Sequence, residues 1–121
     1  MKTDNIVDEK AVEFGIRIVK VSRYLQEQKK EYILSKQLLR SGTAIGALVK
    51  ESEFAESRAD FIHKLSIALK EANETKYWLL LLVKSDYFED KAYKSIDDEC
   101  KTLIKLLVSI IKKMKFENVQ I

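Results

Sequence analysis

Proline is absent from this chain, and glycine occurs only three times in its 121 residues. These are the residues that break helices and form tight turns. Their scarcity argues against a β-sandwich, a β-barrel or an α/β fold with many turns. With 46% hydrophobic and 34% charged residues, the sequence predicts one globular domain of long helices joined by few loops.

Cysteine and long apolar runs are also scarce. Cys100 stands alone, so neither an intrachain disulfide nor a thiolate zinc site is expected, in keeping with a reducing compartment. The longest apolar run, Tyr77 to Val83, has seven residues, whereas a membrane-spanning helix needs about 20. The stretch from Met1 to Lys10 offers no apolar segment for a secretory signal. We therefore expect a cytoplasmic protein without a membrane partner.

Histidine occurs once, as His63. A Ser-His-Asp triad would have to be built around this one position. Asp60 and His63 have the spacing of a di-iron bundle site, but such a site needs a second pair, for which no histidine remains. We interpret His63 as a solvated side chain or one in the capping region of its helix, and we expect neither a metal nor a cofactor.

Hydrophobic residues recur at alternating spacings of three and four, the pattern of amphipathic helices. They predict four helices, over residues 6–29, 36–54, 58–85 and 91–115. Ser35, Ser57 and Asp90 are the predicted N-caps of the last three, and Ser57 with Asp60 resembles a capping box. Short connections force antiparallel neighbours. The predicted fold is all-α, an antiparallel up-down-up-down four-helix bundle in a single domain of residues 1–121.

The second predicted helix contains Gly42 and Gly46. Each costs a helix about 1 kcal/mol relative to alanine. Close approach of a neighbouring helix would offset that cost, so we predict a tight helix crossing at Ser41–Ala47, with a local kink as the alternative.

Two predicted helices have more apolar surface than one bundle needs. The third is apolar all round at Tyr77–Val83, and the fourth carries a second apolar stripe beside its core-facing one. Spare apolar surface of this kind marks association sites. We therefore predict contact with further copies of the chain through Trp78, Leu81, Ile104, Val108 and Ile111.

The net charge of +3 is too small to indicate nucleic-acid binding, but its distribution is uneven. Residues 14–50 hold eight basic and two acidic residues, a net charge of +6, with Tyr24 and Tyr32 interleaved. Such residues can bind phosphates and stack bases. The candidate nucleic-acid-binding residues are Arg17, Lys20, Arg23, Lys29, Lys30 and Lys36. A solvated helix face is the alternative for a single copy, whereas several copies would multiply the basic surface.

Glu71 and Glu74 lie on a largely apolar row of the third predicted helix. Two carboxylates so placed can act as a proton-transfer pair or as ion-pair partners of bases on neighbouring helices, Arg40 foremost. No nucleophile, metal-ligand set or phosphate-binding loop accompanies them. We therefore favour a structural polar network over catalysis.

Two stretches, Leu34–Ala47 and Asp60–Trp78, resemble the bacterial four helix bundle family, also described as the 23S ribosomal RNA intervening sequence protein family. The resemblance covers residues from about Val7 to Ile111. It implies a left-handed antiparallel bundle that assembles as a homopentamer, related to the accessory variability determinant of diversity-generating retroelements. That relative is a pentameric, basic, nucleic-acid-binding partner of a reverse transcriptase. Many family members are encoded inside ribosomal RNA genes, which suggests a link to RNA.

The motif residues of that family fall on Arg40, Ser41, Ile45–Ala47, Glu71 and Glu74. The resemblance therefore adds Ser41 to the polar network. The chain departs from the family at Ala44 and Leu48, where serine and asparagine are expected. These departures favour helix packing over a polar site in this segment.

We therefore expect a non-enzymatic homo-oligomer, with five copies, that acts as a binding or scaffold module for nucleic acid, RNA before DNA. A nucleic-acid enzyme such as a reverse transcriptase is a further expected partner. A protein-binding adaptor with no nucleic-acid role is the first alternative. A small enzyme that uses Glu71 and Glu74 is the second.

Overall fold

A computed structural model describes residues 5–119, so the first four and last two residues of the predicted domain lie outside the described part. Its helices are α1 (Asn5–Gln28), α2 (Leu34–Ser52), α3 (Arg58–Lys84) and α4 (Asp90–Val119). Each helix packs against the next, and α4 returns to α1, where the packing is loosest. The predicted all-α four-helix bundle is confirmed. Within the described residues, none of the helices combines the length and apolarity needed to cross a membrane.

A single apolar core runs between the helices. Its largest side chains, Phe14 of α1 and Phe61 of α3, each expose 1% of their surface. Burial of a side chain of this size stabilises the fold by about 1.5–3 kcal/mol. The core rows come from the three-and-four spacing of the sequence, so each helix turns one apolar face to its neighbours.

The predicted tight crossing is confirmed, and α1 is the helix that approaches α2. A Cβ atom placed on Gly42 would lie 2.8 Å from Cγ2 of Ile18 and 2.9 Å from its Cγ1, closer than carbon atoms pack. At Gly46 the nearest atom would be the carbonyl oxygen of Ala11 at 3.5 Å, an ordinary contact. The close approach is therefore centred on Gly42.

The start of α2 corrects the prediction that Ser35 is its N-cap. The helix begins at Leu34, and the buried carboxylate of Glu31 accepts the free N–H groups of its first turn. These N–H groups belong to Ile33, Leu34 and Ser35, at 3.3, 3.1 and 2.7 Å. The hydroxyl of Ser35 donates instead to the carbonyl of Glu31 at 2.7 Å. One carboxylate thus satisfies three donors, and its charge suits a helix N-terminus.

The starts of α3 and α4 differ in how well they match the prediction. The Ser57 hydroxyl accepts from the N–H of Asp60 at 3.0 Å, so this cap is confirmed. Asp90 is not a cap, because the N–H of Tyr93 donates to the carbonyl of Glu89 at 3.0 Å. That hydrogen bond places Glu89 at the N-cap and Asp90 in the first turn.

The chain reverses direction after α1 and α3 without glycine or proline. Lys30 and Asp86 adopt left-handed backbone angles, with φ of 55° and 66°. After α3, the N–H of Tyr87 donates to the carbonyl of Leu82 at 2.9 Å, and that of Asp86 to Val83 at 3.2 Å. These are the hydrogen bonds of a Schellman motif. Directly after it, Tyr87 and Phe88 of the link between α3 and α4 pack against the core.

Candidate nucleic-acid interface

The candidate nucleic-acid-binding residues lie in the second half of α1, in the α1–α2 connection and at the start of α2. Because consecutive helices alternate in direction, these segments meet the end of α3 and the start of α4 at one end of the bundle. We define the basic end as the five candidates whose exposed side chains make no hydrogen bond or ion pair within residues 5–119: Lys20, Arg23, Lys29, Lys30 and Lys36.

Arg17 is not part of the basic end. Its guanidinium forms an ion pair with Glu99 of α4 and donates to the hydroxyl of Ser95 at 3.0 Å. Arg17 lies on the side of α1 that faces α4. Val21, four residues later, lies on the same face of the helix. The charge of Arg17 is paired with that of Glu99, so this residue is not counted among the unpaired cations of the basic end, although it lines the groove between α1 and α4.

The basic end spans two sides of α1. Lys20 and Lys29 line the groove between α1 and α4. Arg23 lines a smaller groove, of about 260 Å³, beside Leu39 of α2. A ligand that contacts both sides must cross α1, which suits an extended chain better than a small molecule.

The groove between α1 and α4 widens at the basic end into a cleft of about 580 Å³, which we call the α1–α4 cleft. Its aromatic lining consists of Tyr24, Tyr87 and Phe88. Tyr24 is 45% exposed, whereas Tyr87 and Phe88 are half-buried against the core. The sequence pattern indicates only Tyr24 among them, because residues so far apart along the chain meet only through folding.

The charges of the α1–α4 cleft are divided between its walls. The α1 side presents Lys20, Lys29 just after the helix end, and the ion-paired Arg17. The link before α4 presents Asp86 and Glu89. A polyanion is therefore attracted along α1 and repelled from the link. Any phosphates must lie on the α1 side of the opening.

Arg40 of α2 joins the two carboxylates of α3. Its Nη1 lies 3.2 Å from Oε1 of Glu71, and its Nη2 donates to Oε2 of Glu74. The same oxygen of Glu74 accepts from Nε1 of Trp78 at 2.9 Å. Both acids are held by one cation, an arrangement that ties α2 to α3.

Ser41 lies deeper than this network. Its hydroxyl accepts from Oγ1 of Thr75 at 2.9 Å, and both residues are buried. The structure therefore places Ser41 in a separate polar pair between α2 and α3. The spacing of the sequence puts Thr75 on the core row without indicating this hydrogen bond.

Ile111 belongs to the core of one copy and not to a spare apolar surface. It exposes 8% of its surface and follows Leu107 by four residues on the same face of α4. Its prediction as a self-association residue is therefore corrected. Its neighbour Ile110 is only half-buried, because the rotation of α4 turns Ile111 towards the core.

The other four predicted self-association residues are half-buried, and two of them lie on α3 and two on α4. Trp78 faces α2, since it donates to the Glu74 carboxylate that Arg40 holds. Ile104 and Val108 share a face of α4 with Asp97, whose carboxylate accepts from Lys76 of α3. Trp78 and the pair on α4 therefore lie on different sides of α3.

Among the residues whose side chains are described, the longest exposed apolar stripe lies instead on α1. Val12, Ile16 and Val19 expose 43%, 52% and 39% of their surface. Their spacing of four and three puts them on one face. These three residues lie beside the core-facing row of α1. A second apolar row next to the core-facing one is the sequence pattern that could have identified them.

A buried carboxylate on α4 was not singled out by the sequence. The side chain of Asp97 is 7% exposed and lies 2.9 Å from Nζ of Lys76 and 3.2 Å from Nζ of Lys101. Burial raises the pKa of Asp97, but hydrogen bonds and charge from the two lysines outweigh it, and the pKa is lowered. Burial also raises the pKa of the Cys100 thiol to about 12. This thiol stays protonated and unreactive.

No metal centre is built among the described residues. His63 is exposed on α3. Within residues 5–119, no group of three or more His, Cys, Asp or Glu side chains is arranged to hold a metal ion.

Comparison with known proteins adds an independent observation. Residues 3–109 match the family model described as 23S rRNA-intervening sequence protein. The chain is also similar to a crystal structure from Bacteroides thetaiotaomicron, that of a protein with unknown function from the S23 ribosomal protein family. The two are 54% identical, the match covers 90% of this chain and 97% of the other, and the TM-score is 0.89. No curated protein gives a significant match.

Proposed function

The chain belongs to the 23S rRNA-intervening sequence protein family, and on that premise we propose that it is a non-enzymatic, homo-oligomeric binding module that associates with RNA. The family description names a ribosomal RNA, while the solved relative has unknown function. Under this proposal the partners are further copies of the chain, RNA and a nucleic-acid enzyme such as a reverse transcriptase.

The observation that carries the proposal is the basic end. Five exposed cations without ion-pair partners in the described part of the chain are gathered at one end of the bundle. Tyr24 and Tyr32 stand among them and expose 45% and 49% of their surface. Cations for the backbone and aromatic rings for the bases are what binding of single-stranded nucleic acid requires.

The salt dependence of RNA binding tests this role. If five phosphates are neutralised, log affinity falls with log salt at a slope of about −3.5, or about a hundredfold between 50 and 200 mM salt. Lys20→Gln/Arg23→Gln should make the slope shallower by about 1.4. The matched control, Lys112→Gln/Lys113→Gln, removes two exposed lysines near the far end of α4 and should leave the slope unchanged. An equal change in both variants would contradict the basic end as the binding surface.

Self-association would multiply the basic end, and five copies are what the family resemblance implies. We propose that the α1 stripe of Val12, Ile16 and Val19 contributes to the contact, because it is the longest exposed apolar row. The wild type should sediment near five times 14.1 kDa. Ile16→Glu should release smaller species, whereas Ile33→Glu, at a 76% exposed position off this row, should not. A monomeric wild type at micromolar concentration would overturn this part.

The adaptor alternative is separated by the same binding experiment. If the wild type retains neither single-stranded RNA, structured RNA nor DNA at about 50 mM salt, the RNA proposal fails. A protein-binding adaptor is then the better account of the exposed apolar row.

A further inference from the structure

We propose that the α1–α4 cleft receives one unpaired base of a single-stranded RNA, stacked on Tyr24, while the flanking phosphates lie against Lys20 and Lys29. This inference rests on the proposed function and names the class of RNA that the basic end takes. An unpaired strand is bound and a fully paired duplex is disfavoured, because a duplex keeps its bases inside the helix.

The size and lining of the cleft support a base as the occupant. Its volume of about 580 Å³ falls in the range of small-ligand sites, about 300–1,000 Å³. Tyr24 offers an exposed ring, and Tyr87 and Phe88 form a wall already packed on the core. Because that wall is in place before binding, little side-chain ordering opposes the entry of a planar group.

Charge complementarity indicates that the planar group belongs to a polyanion. Lys20 and Lys29 line the cleft and have no ion-pair partner within residues 5–119. They lie on either side of Tyr24 in the sequence, Lys20 within α1 and Lys29 one residue after its end. A strand that follows α1 can therefore place phosphates on both lysines and turn the base between them towards Tyr24.

The carboxylates in the cleft support the same orientation. Asp86 and Glu89 repel phosphate from the link between α3 and α4. They can instead accept hydrogen bonds from exocyclic amino groups, as acidic side chains do with cytosine. The cleft thus suits a base inside and a backbone outside along α1.

The test uses the full-length protein and an RNA of about ten nucleotides with one 2-aminopurine, alone or paired with its complement. Single-stranded RNA should bind more tightly than the duplex, and 2-aminopurine emission should fall as the base stacks. Tyr24→Leu should weaken single-strand binding about fivefold to hundredfold and abolish the quenching. Tyr24→Phe keeps the ring and should retain both.

Phe116→Leu is the matched control, because Phe116 is an exposed aromatic residue near the far end of α4 and does not line the cleft. It should leave affinity and quenching unchanged. Equal binding of duplex and single strand, or wild-type behaviour of Tyr24→Leu, would overturn the inference while steep salt dependence still supported the basic end. Absence of all RNA binding at about 50 mM salt would overturn the proposed function and this inference with it.

Discussion

Alanine at Gly42 is expected to behave unlike alanine at the other two glycines. Inside a helix, the added methyl group improves helix propensity by about 1 kcal/mol. At Gly42, however, the new carbon would lie 2.8 and 2.9 Å from two side-chain carbons of Ile18. Ile18 is fully buried and branched at Cβ, so it has few rotamers to escape into. Either α1 and α2 move apart or the side chain is strained.

The magnitude follows from two opposing contributions. Overpacking a core costs about 1–3 kcal/mol, so Gly42→Ala should range from neutral to a loss of about 2 kcal/mol after the propensity gain. A Cβ at Gly46 would make only an ordinary contact at 3.5 Å, and one at Gly15 would meet no atom within 4 Å. Gly46→Ala and Gly15→Ala should each stabilise the fold by about 1 kcal/mol.

Urea unfolding followed by circular dichroism measures the three free energies of unfolding. One protein concentration must be used throughout, because self-association changes apparent stability. Equal stabilisation by Gly42→Ala and Gly46→Ala would refute the close approach at Gly42. The double mutant Ile18→Ala/Gly42→Ala should lose less stability than the two single changes together, since the added methyl then occupies vacated space.

Three further predictions concern helix ends and ion pairs. Asp97→Asn should make the loss of stability at acid pH less steep. Because the folded-state pKa of Asp97 is lowered, the stabilisation from its ionised carboxylate is present above the ordinary pKa of 3.8. It is lost as pH falls through the lower folded-state value. Urea midpoints measured down to about pH 2 check this, and an acid loss as steep as that of the wild type would contradict it. In an Arg40→Ala/Glu74→Ala cycle, the coupling should stay below about 1 kcal/mol, because the side chains are 49% and 38% exposed and solvent screens the pair; strict additivity would contradict a direct interaction. Asp86→Gly should stabilise the fold by about 1 kcal/mol, because glycine adopts a φ of 66° without steric cost; an unchanged melting temperature would count against strain there.

The helices and their core-facing rows could be predicted from the sequence, because the pattern depends on residues three and four positions apart. The tight crossing at Gly42 could also be predicted, since a glycine inside a helix needs a nearby partner to offset its cost. The prediction from local residue preferences was wrong at the start of α2. Serine is a favoured cap, but Glu31 reaches the helix end because the chain turns back at Lys30.

Which residues form the candidate binding and association surfaces was decided by the tertiary structure. Arg17 has the sequence context of an exposed cation, yet Glu99 of α4 neutralises it. Ile111 and Ile110 are equally apolar, and the rotation of α4 decides which one is buried. The α1–α4 cleft brings together Tyr24 and Tyr87, which are separated by about half of the chain. A helix forms through contacts within one or two turns, whereas its rotation and its partners are set by packing between residues far apart in sequence.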